Sequence, residues 1–215
     1  MPTTHRHPIF ARVYPYISRG AEKGGATDHR TALLAGLRGR VIEVGAGHGL
    51  NFGYYPAGVI EVVAVEPEPH LRELAQAAAR RAPVSVEVMS GLAEALPAAD
   101  GEFDAAVVSL VLCSVSDQAV ALCEIARALR PGGELRFYEH VVSNRPAVAR
   151  VQRALDATIY PPLAGGCHCA RDTRSAILDG GFQIEREERI AFKPSPITPS
   201  IPHILGTARR AGAAA

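Results

Sequence analysis

Three glycines at alternate positions, Gly45, Gly47 and Gly49, follow the short apolar run VIEV at 41–44, in which Glu43 is the one charge. Bare backbone at this spacing lets a buried strand turn tightly into the next element and leaves N–H groups open to a ligand. A second apolar run, VVAVE at 62–66, again ends in an acid, Glu66. A carboxylate at the tip of the second strand of such a fold holds a ribose through its two hydroxyls. The chemistry implied is nucleoside binding. A dinucleotide fingerprint would place a third glycine where Leu50 stands. Glu43, two residues before the first glycine, would repel a phosphate and suits a cationic ligand. Taken alone, the glycine string also fits a glycine-rich turn of any α/β protein. His140 is the candidate base, because ligands collect at the carboxyl ends of the strands in open α/β sheets. Cys113, Tyr160 and His168 are candidates for the wall of an acceptor pocket, and Tyr14 or Tyr16 for a cover over it.

The four cysteines, Cys113, Cys123, Cys167 and Cys169, show no Cys-x-x-Cys pair, so neither a disulfide scaffold nor a zinc site is indicated. Cys167-His168-Cys169 stands alone, and neighbouring residues rarely close one tetrahedral site without distant partners. No metal is expected.

These residues need elements to hold them, and from Arg40 onward strand and helix signals alternate. Strands are expected at 41–44, 62–66, 84–89, 103–109 and 134–141, with helices at 69–82 and 116–130, the latter stopped by Pro131-Gly-Gly133. Such alternation predicts a parallel sheet with helices on both faces. Beyond Val141 the pattern predicts a helix at 146–160, a Pro- and Gly-rich loop, a helix at 171–178 and strand-like runs at 182–190 and 204–208. Residues 142–170 would form an insertion on the acceptor side. A proline-rich link (Pro194, Pro196, Pro199, Pro202) separates the last two strands. Residues 1–30, loosened by glycines at 20, 24 and 25, are expected to form a mobile lid. A short helix at 28–37, with Asp28 as its cap, follows. The final Ala-Gly-Ala-Ala-Ala is expected to fray.

At 215 residues the chain fits one domain over 1–215, and 47% hydrophobic with 21% charged residues is ordinary for a soluble globular protein. A net charge of +1 supplies no strong field toward nucleic acid or an anionic membrane. No apolar run approaches the ~18 residues that span a bilayer. The opening MPTTHRHP lacks the apolar core of a signal peptide, so the cytoplasm is the default compartment. The expected partner is a small-molecule substrate, with no nucleic acid and no membrane span, in a monomer or homodimer.

The pattern EVGAGHG at 43–49 resembles motif I of the class I S-adenosylmethionine (SAM) methyltransferases, whose cofactor carries a sulfonium and an ammonium. The stretch FDAAVVSLVLCSVSD at 103–117, followed by ARALRPGGEL at 126–135, carries the resemblance more specifically. It implies a Rossmann-like α/β fold, a seven-stranded sheet that is mostly parallel with an antiparallel last strand. By that resemblance Gly45, Gly47 and Gly49 would line the methionine portion, with Glu43 near its ammonium. Asn51 and Pro67 would join the cofactor contacts, and Glu66 would hold the ribose. Gly91, Leu92 and Ala93 would flank adenine, and Ser109 and Leu110 would lie beneath the methionyl end. The strand-four loop lacks the Asn/Asp-Pro-Pro-aromatic motif of amino-group base methylation, and the chain lacks a basic face for nucleic acid.

Four phrases narrow the resemblance: GHGLNFGYYP at 47–56, VEPEP at 65–69, LVLCSV at 110–115 with YEHV at 138–141, and GCHCARDT at 166–173. They are similar to the membrane-associated alkyl thiol S-methyltransferases and their soluble relatives. The chain departs from the animal members by lacking their N-terminal hydrophobic anchor, and by His168 where they carry asparagine. The implied activity is SAM-dependent methylation of a small molecule, first a thiol or dithiol, such as a toxic or antibiotic-like thiol by analogy. S-adenosylhomocysteine would be the coproduct. The alternatives are O- or N-methylation of a natural product or quinone precursor, and a module that binds SAM or a nucleoside without turnover. A thiol of pKa near ~8.5 needs little base help beside a sulfonium. Ubiquinone-type O-methyltransferases can hold a divalent cation in the strand-four loop. Leu110, Cys113 and Ser114 are a poor set for a hard cation. Cys113 reads as a small apolar residue beside the cofactor.

Overall fold

The apolar runs become strands because helices cover them on both sides, which is why they read as continuous rather than alternating. In the computed structural model, which describes residues 8–193 and 200–211, the last four residues of β1 (Gly39–Val44) and of β2 (Val59–Val65) are buried. Strands β3 (Ser85–Met89), β4 (Phe103–Ser109) and β5 (Leu129–His140) join them in parallel. β6 (Phe182–Phe192) and β7 (Ile201–Arg210) form an antiparallel hairpin, giving the order β3-β2-β1-β4-β5-β7-β6. β5 starts earlier than expected: Leu129 pairs with Phe103, residues 130–133 leave the register, and pairing resumes at Glu134. Neighbours β2 and β4 flank β1, so the chain switches direction there, and the carboxyl ends of β1 and β4 frame a crevice.

Two cores lie on either face of the sheet. One packs Ala121, Leu122 and Ile125 of α4 (Gln118–Ala128) against Val108, Leu135 and Phe137. The other packs Leu33 and Leu34 of α2 (Thr27–Leu34) and Ala75 of α3 (Pro69–Ala79) against Val41, Val62 and Tyr138. Helix starts follow local chemistry. Pro69 sits in the first turn of α3, and Asp117 caps α4 by accepting from Ala119 and Val120 N–H at 2.8 and 3.2 Å. Asp172 caps α7 (Thr173–Asp179) through Ser175 N–H.

The N-terminal segment is more regular than its glycines at 20, 24 and 25 suggest. Residues 8–34 form two helices, α1 (Pro8–Ala21) and α2, joined across a kink over Glu22–Ala26 in which Gly25 takes the non-helical φ of 103°. Phe10, Ala11, Tyr14, Ile17, Ser18 and Ala21 recur at helical spacing and face one cavity. Pro15 and the glycines obscured that stripe. Asp28 lies inside α2 and is not its cap; the N-cap residue is Ala26, which makes no side-chain cap bond. The single helix expected over 146–160 is divided into α5 (Pro146–Asp156) and α6 (Tyr160–Leu163). The proline-rich link, apart from Pro202 in β7, and the terminal Ala-Gly-Ala-Ala-Ala, apart from Ala211, lie outside the described residues, as do positions 1–7.

Past β4 the chain is turned by one buried side chain. Glu139, on β5, accepts from the backbone N–H groups of Val111, Leu112 and Cys113 at 2.9, 3.1 and 3.1 Å. Leu110, just before them, has φ 61° and is the one non-glycine residue with positive φ among the described residues. That conformation costs a residue with a Cβ about 1–2 kcal/mol. Its N–H donates to Tyr138 C=O at 2.7 Å, so β5 dictates the path of the loop from both sides. Glu139→Gln would place an amide donor against a backbone donor. We expect it to lower stability by about 1.5–3 kcal/mol, the worth of one hydrogen bond to a charged group. Urea denaturation reads this directly, and a midpoint equal to that of the unsubstituted protein would show that the loop is held by something else.

Candidate active site

A cavity of about 460 Å3 lies at the carboxyl ends of β1, β2, β4 and β5, under α1. Its first wall is the turn after β1. Gly45, Gly47 and Gly49 have φ of 67°, 58° and 82°, which only glycine adopts freely. Gly45 and Ala46 N–H both donate to Val65 C=O, and Gly47 N–H donates to Glu66 Oε2 at 2.8 Å. A Cβ on Gly45 would strike Val111 at 2.6 Å, so this turn fits against the loop after β4. Glu66 also accepts from Glu68 N–H at 2.9 Å. Burial pushes its pKa up to about 7 against these backbone donors. A carboxylate offers about four lone-pair sites. Two are used here, so the pair of hydroxyl donors of a ribose would find acceptors.

The predicted cofactor residues divide. Gly45, Gly47, Glu66, Pro67, Gly91, Leu92, Ala93, Ser109 and Leu110 line the cavity. Glu43, Gly49 and Asn51 do not. Both Glu43 oxygens are occupied inside the protein, by Tyr55 Oη at 2.7 Å and Asn51 Nδ2 at 2.9 Å. Burial raises the Glu43 pKa to about 7. Asn51 Oδ1 in turn accepts from Arg30 Nη1 at 2.8 Å, and Arg30 Nε pairs with Glu22 at 2.9 Å. Gly49 is a packing position, where a Cβ would meet Phe52 at 2.7 Å and Ala78 at 2.9 Å. The guanidinium on the wall is Arg30, 6% exposed and 3.4 Å from Ser109 Oγ. Sequence reasoning missed it, because nothing local marks an arginine in a helix as buried.

The far end holds the acceptor candidates. His140, Cys113, Tyr160 and Tyr14 line the cavity. Tyr16 does not: two residues along a helix from Tyr14, it points to the opposite side and is 70% exposed beside Arg19. His168 is also outside. Its N–H donates to Cys113 C=O at 2.8 Å, and its ring turns toward Asp156, 3.8 Å away. Cys167 takes the place expected of it. His140 Nδ1 lies 3.1 Å from Cys167 Sγ, which lies 3.3 Å from Cys113 Sγ. Burial alone would lower the His140 pKa, but the Cys167 thiol and the Glu139 charge outweigh it and raise the ring above its ordinary value. Cys167 is lowered to about 5 by its shared hydrogen bond with Cys113, against burial and with help from His140. Cys113, wholly buried, is raised by the same bond and by burial. His203 packs edge-on to His140, with ring centroids 4.4 Å apart, and burial lowers its pKa to about 3, so it stays neutral. The other two members of the Cys-His-Cys triplet turn away; Cys169 Sγ lies 3.2 Å from Asp156 Oδ1.

One end of the cavity is thus built from backbone N–H, a carboxylate and a guanidinium, and the other from sulfur and imidazole. Residues 42–137 match the methyltransferase domain family. The chain is 34% identical to human thiol S-methyltransferase TMT1B over 182 residues, covering 81% of this chain and 73% of that protein. It is 33% identical to human thiol S-methyltransferase TMT1A, with the same 81% and 73% covered. A crystal structure of a SAM-dependent methyltransferase from Thermotoga maritima superimposes with a TM-score of 0.66 at 22% identity, covering 94% of this chain and 97% of that one. Sheet order, the glycine turn with Glu66 and these relatives agree: the chain is a SAM-dependent methyltransferase and belongs to the family that includes the thiol S-methyltransferases TMT1B and TMT1A.

Proposed function

We propose that this enzyme methylates the sulfur of a small thiol or dithiol. The observation that carries the reading is the acceptor end of the cavity, where Cys113, His140 and Cys167 meet among the apolar side chains of Phe10, Leu163 and Phe192. The thiol S-methyltransferase activity of the relatives TMT1B and TMT1A supports it. Among the described residues no helix is long and apolar enough to cross a membrane.

When bound, SAM supplies an electrophilic methyl on a sulfonium, which passes to the acceptor sulfur and leaves S-adenosylhomocysteine. Glu66 would hold the ribose, and Gly91, Leu92 and Ala93 would flank the adenine. Arg30, beside Ser109, would meet the carboxylate of the methionyl end, a role the sequence reading gave to no residue. Leu110 and the Gly45–Gly47 backbone would set the depth of that end. The acceptor sulfur would sit against His140 and Cys167, and its proton would pass to solvent, with the His140 imidazole as the nearest base. Alignment and water exclusion by α1 and α6 then supply most of the rate, since a thiol acceptor needs little base.

Incubation of the purified protein with SAM and a panel of thiols, dithiols, phenols and amines tests the reading by mass spectrometry. Methylthio products with matching S-adenosylhomocysteine are expected from the thiols; turnover confined to phenols or amines would overturn the sulfur assignment. For the cofactor, Glu66→Ala is expected to weaken SAM more than about tenfold, ~1.4 kcal/mol. Ribose hydroxyls donate to Glu66 and so favour its ionised form. Because its pKa without ligand is about 7, SAM affinity should climb as pH rises through that value and then level off. Calorimetric titration across that range checks the sign, and a Glu66→Ala variant with the original affinity and slope would refute the ribose contact.

A further inference from the structure

We propose that Cys113, His140 and Cys167 form a binding site for a zinc-class divalent ion, whose remaining coordination position faces the cavity and receives the sulfur of the methyl acceptor. The last clause rests on the thiol reading above; the ion site itself rests on the three side chains.

Their ligand atoms all lie within 4.8 Å of one another, with the two measured edges at 3.1 Å (His140 Nδ1 to Cys167 Sγ) and 3.3 Å (Cys167 Sγ to Cys113 Sγ). In a tetrahedral site with Zn–S about 2.3 Å and Zn–N about 2.0–2.1 Å, such edges are roughly 3.5–3.8 Å. Both therefore lie within about half an ångström of that geometry. Two thiols and an imidazole are a soft set, suited to zinc, and the cluster offers no oxygen for a magnesium- or calcium-like ion.

The three residues come from separate segments, and each is oriented from outside the cluster. Cys113 is fixed by its N–H on Glu139 and by its carbonyl, which accepts from His168 N–H. Arg171 Nη1 holds the adjoining Leu112 carbonyl at 2.7 Å, which ties the segment after Cys167 to the same loop. The His140 ring plane is set against His203. Outer contacts of this kind orient metal ligands. All three residues also line the cavity, so the open position that reactive zinc sites keep would face the substrate.

On binding, the two protein thiols lose their protons to solvent and coordinate as thiolates. An acceptor thiol entering the remaining position likewise loses its proton and stays as a bound thiolate. After it takes the methyl it is a neutral thioether, a poorer ligand, and leaves. The ion does not change oxidation state.

Reduced full-length protein, stripped with a chelator and titrated with Co2+ as a spectroscopic stand-in for Zn2+, tests the site. About one ion per chain is expected, with a sulfur-to-cobalt charge-transfer band. Cys113→Ser and Cys167→Ser should each weaken it by more than about hundredfold, since even outer partners are worth roughly 10- to 100-fold. SAM affinity measured on the same samples reports that the variants are folded, and Cys123→Ser, at an exposed position, should bind cobalt like the unsubstituted chain. Addition of a thiol should shift the cobalt bands. No cobalt band in protein that binds SAM would overturn the ion site, as would a Cys113–Cys167 disulfide as the only product of metal exposure. A cobalt site whose bands ignore thiols, in protein that still methylates them at full rate after stripping, would overturn the acceptor's place on the ion. Cobalt binding with no thiol turnover at all would sink the thiol reading while supporting the site.

Discussion

The loop after β4 depends on one buried carboxylate. Glu139 meets three consecutive backbone N–H groups, and those bonds make a left-handed Leu110 tolerable in a chain that would otherwise run straight from strand to helix. Because β-strand side chains alternate, Glu139 faces the loop while Tyr138 and His140 face the other way. The loop it shapes is then a platform for a third segment. His168 N–H and Arg171 bond to the carbonyls of Cys113 and Leu112, and so bring Cys167 under His140. Positions 113, 140 and 167 converge through that single acceptor.

Holding acids at the carboxyl ends of buried strands has an electrostatic cost, and the three such acids meet it differently. Glu43, Glu66 and Glu139 are each pushed by burial to about 7. Glu43 is satisfied by side chains, Tyr55 and Asn51, and is closed off. Glu139 is satisfied by backbone alone, and its three donors favour the anion that burial opposes. Glu66 is satisfied by backbone on one side and faces the cavity on the other. A group whose pKa is raised on folding stabilises the native state below its unfolded value and loses that contribution as pH rises through about 7. Among these acids Glu66 is the one on the cavity wall, where an external donor can relieve the cost. A site that stores strain in this way is matched to a ligand that brings hydroxyls.

The sheet was legible because burial on both faces imposes runs that no surface element shares, and the glycine turn because three positive φ angles leave glycine little competition. The place of Glu66 at the tip of β2, on the cavity wall, was legible for the same positional reason. What failed were readings that need a side chain's direction. Glu43 and Glu66 look alike in sequence, each an acid at a strand end, yet Tyr55 and Asn51 fold back on one and the glycine loop meets the other. Tyr14 and Tyr16 differ by two positions, which along a strand is one face and along a helix is opposite faces; only the helical α1 decides between them. In Cys167-His168-Cys169 the middle residue was the one named for the acceptor pocket, where the animal members of the resembling family carry asparagine. The turn at Gly165 and Gly166, with φ of 62° and 87°, rotates Cys167 inward and His168 outward. No local pattern reports that rotation.

The two ends of the cavity share a roof, and that couples cofactor and acceptor chemistry. α1 lays Tyr14 over Gly47, where a Cβ would come within 3.5 Å of the ring, and Phe10 onto Gly165, where a Cβ would overlap it. One helix therefore touches the glycine turn of the cofactor end and the glycine loop that aims Cys167. Its placement bears on both ends of the cavity at once, and a cover of this kind excludes water from whatever the cavity holds. Between those contacts α1 and α6 present apolar side chains to the cavity, Ile17 and Leu163 among them, while the strand ends present its polar groups.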